Sequence, residues 1–312
     1  MRANYHVMEG RIVKSTGSWY EVIGTDGKRY TCRLQGKLRL DDNKSSNPVS
    51  VGDRVTLILS PQDASISEVL DRTNHILRQS VKRTNHSQVL AANVDQVLLV
   101  ATMHQPRTSL GFIDRFLVSA ESFRIPQILV FNKRDVWSDK DKEHIGELTR
   151  LYASIGVTCL SISALESNDI EIVRERMLGK TTLVAGHSGV GKSTLLNQLH
   201  PGINQTIRAV SEVTDKGTHT TTFAEMFVID ENTYVIDTPG VKEWGLVEME
   251  PQEISDYFPE MRGRRLDCKF GSRCLHLTEP ACRVRIAVEA GQIAASRYAS
   301  YVSMVTGEDN RK

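Results

Sequence analysis

Residues 181–200 read TTLVAGHSGVGKSTLLNQLH. An apolar run, a glycine-rich turn and a helical pattern follow one another. The turn, Gly186-His187-Ser188-Gly189-Val190-Gly191-Lys192-Ser193, matches GxxxxGK[ST] in full. Its glycines let backbone N–H groups curl around phosphate oxygens. Lys192 can reach the β- and γ-phosphates, and the Ser193 hydroxyl can ligate Mg2+. Thr194 belongs to the same cradle. A strand before such a loop and a helix after it is the setting a phosphate-binding turn needs.

Outward from this stretch, residues from 94 onward alternate between apolar strands and helical patterns. Strands read at 94–102, 126–132, 157–163, 181–186, 223–229 and 233–237, and helices at 111–124, 139–154, 168–178 and 191–200. That alternation predicts a mostly parallel sheet with helices on both faces. Asp237-Thr238-Pro239-Gly240 ends one strand, where an acid holds Mg2+ through water and the Gly240 amide meets a γ-phosphate. Asn132-Lys133-Arg134-Asp135 ends another. The Asp135 carboxylate can accept both N1–H and N2–H of guanine, a donor pair adenine lacks. Lys133 can lie along the base face, and Asn132 can tie this loop to the phosphate turn. Ser163-Ala164, after VTCLSI, offers a backbone N–H to guanine O6.

Lys216-Gly217-Thr218-His219-Thr220-Thr221-Thr222 lies between the phosphate turn and Asp237. A switch threonine that closes on Mg2+ when the γ-phosphate is present comes from here, as Thr220 or Thr221. Many GTP hydrolases place a Gln directly after DxxG to orient the attacking water. Val241 stands there and cannot, so His219 is the nearby polar candidate. The order of these parts is unusual, because base recognition precedes phosphate binding. A circular permutation builds the same sheet this way, since domain termini often lie close together.

The flanks differ from the centre. Residues 1–75 show short alternating segments (GRIVKS, WYEVIG, KRYTCRL, DRVTLIL) between turn clusters. They predict a small β-barrel of the five-stranded OB type. Lys28, Arg29, Arg33, Lys37 and Arg39 crowd around Tyr30 there, which suits RNA phosphates. The polar stretch 72–90, RTNHILRQSVKRTNHSQVL, reads as a linker. After about 250 comes a helix-rich tail with Cys268, Cys274, His276 and Cys282 within fifteen residues. Three thiolates and an imidazole suit tetrahedral Zn2+ in a closed structural site. The domains expected are therefore 1–75, a linker at 76–90, 91–250 and 251–312.

Composition sets the outer bounds. Apolar residues make up 40% and charged residues 25% of 312, which excludes a largely disordered chain. The net charge is +1, yet residues 1–83 carry 14 basic and 9 acidic residues, 84–250 carry 15 and 21, and 251–312 carry 10 and 8. Two mildly basic ends flank an acidic middle, a pattern that suits an anionic partner. No apolar run approaches the roughly 18 residues of a membrane helix, and MRANYHVMEG has no signal core. A soluble, cytoplasmic, monomeric protein is expected.

The full set of motifs resembles the circularly permuted small-subunit ribosome biogenesis GTPases, the RsgA/YjeQ family. The likeness runs through CRLQGKLR, VGDRV, AANVDQVLLVAT, IDRFL, NKRD, GHSGVGKSTLLN, GTHTTT, DTPGVKEWG and CKFGSRCLHLTEPAC. It implies a multidomain α/β chain with an OB-type barrel, a permuted GTPase domain and a C-terminal zinc domain. It implies hydrolysis of GTP to GDP with Mg2+, stimulated by the small (30S) ribosomal subunit late in its maturation, and contact with 16S rRNA. Asn132, Lys133 and Asp135 take guanine recognition, and 186–193 the phosphates and Mg2+. Cys268, Cys274, His276 and Cys282 take zinc, and His219 replaces the missing Gln. Two departures are visible: five residues separate the first cysteine pair where the family usually has four, and Gln35 stands where Arg is common.

Overall fold

Alternating apolar side chains in the first segment close a sheet upon itself. The computed structural model describes residues 5–36, 38, 49–61, 63–79, 87–200, 203, 224–238 and 249–307. Strands β1 (His6–Ser15), β2 (Tyr20–Gly24), β3 (Arg29–Leu34), β4 (Arg54–Leu59) and β5 (Ala64–Val69) run in the order β1-β2-β3-β5-β4, and β4 returns to β1. All pairs are antiparallel except β3 with β5. This is the closed five-stranded OB-type barrel expected. Its interior is filled by Ile12, Val22, Cys32, Val55, Leu57 and Ile66, all fully buried.

The stretch 72–90 is not a bare linker. It holds β6 (His75–Gln79) and β7 (Ser87–Ala92), paired antiparallel. Ile76 and Ala91 of this hairpin are fully buried in the core of the neighbouring α/β unit. Side chains around the hairpin bind it on both sides. Arg72 makes a bidentate ion pair with buried Asp53 at 2.7 Å. The Asn74 amide accepts from Val94 N–H and donates to Val94 O, both at 2.8 Å. The strands are short and neither shows a clean alternation of apolar and polar residues, so periodicity alone does not reveal them.

Next come β8 (Gln96–Ala101), α1 (Leu110–Ser122), β9 (Gln127–Phe131), α2 (Asp139–Ser154), β10 (Thr158–Ser161), α3 (Ser167–Met177), β11 (Thr181–Ala185), α4 (Lys192–Leu199), β12 (Glu225–Asp230) and β13 (Thr233–Asp237). The sheet order is β10-β9-β8-β11-β13-β12, parallel except for β12. Every residue of β8 is buried, as in a sheet covered on both faces. Val97, Leu99 and Ala101 meet Phe112, Phe116 and Leu148 of α1 and α2. Leu98 and Val100 face Val173, Leu195 and Leu196 of α3 and α4.

The barrel is joined to this sheet. In β1 a register shift falls between Ile12 and Lys14, with Val13 inside it, and Ile12 and Val13 are both fully buried. Such a bulge bends a strand and re-aims its side chains. Ile12 accordingly packs in the barrel and Val13 in the α/β core. Beyond the bulge, Lys14 pairs with Glu225 of β12, which makes one continuous 11-stranded sheet.

The tail carries α5 (Pro259–Arg265), α6 (Arg283–Glu289) and α7 (Ala295–Thr306). Its core, including Phe258, Met261 and Tyr301, also takes in Val118 of α1. Arg297 is fully enclosed here and bridges Asp114 of α1 and Glu260 of α5 at 2.7 Å each, while the Tyr152 hydroxyl donates to Asp114 at 2.8 Å. Among the described residues no helix is long and apolar enough to cross a membrane.

Candidate functional site

β11 delivers the glycine turn at its C-terminal end, and α4 starts from it with Lys192. Gly186 and Gly191 sit at φ of 147° and 95°. A Cβ on Gly186 would collide with the Val100 carbonyl, and one on Gly191 with the Asn132 amide. Only glycine fits either place. The Lys192 ammonium donates to Gly186 O at 2.6 Å and His187 O at 2.8 Å. Burial lowers its pKa, and the Asp237 carboxylate opposes that shift.

Asp237 closes β13 and stands in register with Val184 of β11. Burial raises its carboxyl pKa, against the pull of Lys192. Its Oδ1 is buried and meets no donor among the described residues. A buried carboxylate oxygen without a donor is unusual. A hydrated Mg2+ held here would supply a donor, because its bound waters donate to carboxylates. The Ser193 side chain starts the same helix as Lys192. These residues fit the ion.

The base side forms at the ends of β9 and β10. Asp135 is exposed, and its Oδ1 accepts from the Ser163 hydroxyl at 2.6 Å. Arg134 pairs with both oxygens of Asp169 on α3, at 2.8 and 2.9 Å. Asp169 also accepts from Ser163 N–H at 2.7 Å. The Lys133 ammonium donates to Gln105 O at 2.5 Å.

Asn132 joins the two halves. Its Nδ2 donates to Val190 O at 2.8 Å, and its Oδ1 accepts from Ala164 N–H at 2.9 Å. One buried side chain thus holds the 132–135 loop and the phosphate turn together, as expected, and ties in the 163–164 loop as well. The amides of Ser163 and Ala164, expected to face guanine O6, donate instead to Asp169 and Asn132. His219, Thr220, Thr221 and Gly240, with Val241, lie outside the described residues.

Sequence reading missed three supports. Asp169 orders the loops around Asp135. Phe112 stacks on His187 of the phosphate turn, ring centroids 3.9 Å apart. Burial lowers the His187 pKa, with Lys192 adding to the shift. The loop 102–109 lies against both halves. The signals the sequence carries there, a proline at 106 and a capping serine at 109, mark a turn rather than a site.

The cysteine cluster stands apart in the tail. One ligand atom from each of Cys268, Cys274, His276 and Cys282 falls within 4.8 Å of the others, and all four residues are buried. His276 Nδ1 lies 3.3 Å from Cys282 Sγ and 3.6 Å from Cys268 Sγ, and those two sulfurs are 3.9 Å apart. Ligands of a tetrahedral Zn2+ stand roughly 3.5–3.8 Å from one another, from bond lengths of about 2.0–2.3 Å. The donor set and spacing fit zinc, and the extra residue between Cys268 and Cys274 does not open the cluster. Arg283 N–H donates to Cys268 Sγ at 3.3 Å and Arg285 N–H to Cys282 Sγ at 3.5 Å. Such bonds favour thiolates. Burial, the largest influence on it, pushes the Cys274 thiol up to about 12. Tyr298 and Tyr301 hold the carbonyls of His276 and Leu275 at 2.6 and 2.7 Å.

Comparison with known proteins agrees with this geometry. The sequence model described as RsgA GTPase matches residues 69–247, and the one described as RsgA N-terminal domain matches residues 9–66. A small ribosomal subunit biogenesis GTPase RsgA from Bacteroides fragilis is 46% identical over 306 residues, covering 98% of each chain. One of the same description from Christiangramia forsetii is 44% identical over 307 residues, covering 97% of each. The crystal structure of YjeQ from Thermotoga maritima is similar with a TM-score of 0.77 and 35% identity, covering 98% of this chain and 100% of that one. YloQ, described as a circularly permuted GTPase, gives 0.75 and 30% over 98% and 96%.

Proposed function

The chain belongs to the RsgA family of circularly permuted GTPases that serve small ribosomal subunit biogenesis, and from that premise we propose which of its residues bind and hydrolyse GTP. Asp135 reads guanine through N1–H and N2–H, with the Ser163 hydroxyl fixing its orientation. Lys133 covers the base. Lys192 turns from its carbonyl partners to the β- and γ-phosphates, joined by the N–H groups of 186–194. Ser193, Asp237 and one of Thr220 and Thr221 would hold Mg2+, which offsets charge on the transferring phosphoryl group when bound. Gly240 faces the γ-phosphate, and His219 positions the attacking water in place of Gln.

Zn2+ held by Cys268, Cys274, His276 and Cys282 serves structure, because four protein ligands leave no position for a substrate. The barrel contacts 16S rRNA in the small subunit, and the protein works as a cytoplasmic monomer. One observation carries the nucleotide reading: Asn132 bonds both the phosphate turn and the 163–164 loop, so base and phosphate groups surround one space. GTP turnover by the full chain, alone and with purified small subunits, tests it. Slow turnover alone with clear stimulation by subunits is expected, and equal rates with and without them would refute the assignment. Zinc by elemental analysis at one atom per chain is the companion result.

A further inference from the structure

Segment Thr102–Phe112 leaves β8 and enters α1, and it touches both halves of the nucleotide cradle. Its base is closed by its own threonines. Thr108 N–H donates to Thr102 O at 2.9 Å, Thr102 N–H to Thr108 Oγ1 at 3.1 Å, and the Thr102 hydroxyl to Pro106 O at 2.5 Å. The loop so closed presents Gln105 O to the Lys133 ammonium at 2.5 Å. Its next residue lies over the phosphate turn, since a Cβ on Gly189 would stand 3.3 Å from Pro106 Cδ. Where the loop becomes helix, the Phe112 ring stacks on His187, 3.9 Å between centroids and tilted 34°. On the outer side, His104 Nε2 lies 2.8 Å from Asp141 Oδ1, the carboxylate that completes the capping box of α2.

We propose that this segment is a bracket that positions Lys133 and the phosphate turn for the guanine nucleotide, with Gln105 and Pro106 acting as positioning residues. The proposal rests on the nucleotide reading given above. A free lysine side chain surrenders rotamer freedom when it settles over a base. One whose ammonium is already tethered has surrendered it beforehand, which strengthens binding. The tether also links parts distant in sequence. Lys133 belongs to the base-reading loop and Gly189 to the phosphate turn, and the bracket touches both. Asn132 still joins the two halves when the bracket is loosened, so what is lost is the settled position of Lys133 and of the turn at Gly189, with every group that contacts the nucleotide retained.

Dissociation of a fluorescent GDP from the full chain tests this in a double-mutant cycle. Pro106→Gly frees the loop and removes the ring above Gly189. In the wild-type background it should speed GDP release about tenfold, the scale of losing one hydrogen bond to a charged group. KM for GTP should rise by a similar factor while kcat changes far less. In a Lys133→Met background the tether no longer exists, and Pro106→Gly should speed release by less than about threefold. An equal acceleration in both backgrounds, or none in the wild type, overturns the proposal. If Pro106→Gly lowers the melting temperature sharply, His104→Ala replaces it, since that side chain is exposed. Two- to threefold faster release in the wild type, and no change beside Lys133→Met, is then expected, and equal effects again overturn it. Wild-type protein binding ADP as well as GDP would instead refute the guanine reading itself.

Discussion

The nucleotide cradle and the cysteine cluster solve opposite problems. The cluster takes four ligands from fifteen consecutive residues, 268–282, and local hydrogen bonds aim them. The cradle gathers groups from residues 102 to 238 and relies on the order of β9, β8, β11 and β13 to bring them side by side. A local site needs only a loop of the right length, so its order depends on the ion. A dispersed site needs a folded sheet first, so its order depends on packing. Permutation is tolerated in the cradle for that reason, because sheet order rather than chain order fixes who meets whom.

Removing metal should separate the two regions most strongly. Structural zinc supplies on the order of 10 kcal/mol to a local fold of this kind. A tight chelator should abolish hydrogen-exchange protection across 268–306 while GDP binding persists. Unchanged protection would mean that the cluster needs no ion. Lys192→Ala is next, with an expected loss of about a thousandfold in GTP turnover and an intact tail by circular dichroism. Turnover within tenfold of wild type would remove Lys192 from the phosphate side.

Arg297 joins the regions, so Arg297→Leu blurs their independence. It strands Asp114 and Glu260 in the interior, and urea unfolding should register a loss of about 3–5 kcal/mol. A change below about 1 kcal/mol would show that the two carboxylates find water or protons at little expense. The smallest effect lies at the α2 cap. The Ser138 hydroxyl, then His104, hold the Asp141 carboxyl down to about 2 from its ordinary 3.8. A carboxyl with a depressed folded pKa adds stability that is present above pH 3.8 and is lost as pH falls toward 2. Asp141→Asn should flatten acid unfolding in that window alone, and an unchanged acid limb would deny the cap that role.

Much of this was legible in the sequence because each motif carries its own chemistry. GHSGVGKS, NKRD and DTPG sit where apolar runs end, and their permuted order is plain along the chain itself. The cluster Cys268, Cys274, His276 and Cys282 was equally plain. The hairpin at 75–92 was not, since Ile76 is buried by residues far away in sequence and polar neighbours mask it. The bulge that turns Val13 toward a second core leaves no periodic trace, for both sides of β1 look apolar there. The role of Gln105 lies in a backbone carbonyl, which every residue type possesses. The present acceptors of the Ser163 and Ala164 amides, Asp169 and Asn132, were not legible, because spacing shows where an N–H lies and not which acceptor it finds.

Calorimetry on Asp135→Asn with xanthosine diphosphate tests most directly whether one cavity joins base reader and phosphate lysine. An amide in place of the carboxylate donates where guanine had donated, so it suits the C2 carbonyl of xanthine. The variant should bind xanthosine diphosphate one to one and prefer it to GDP, and adding Lys192→Ala should weaken that binding at least about tenfold. Retained GDP preference, or xanthosine diphosphate binding indifferent to Lys192, would contradict a shared site.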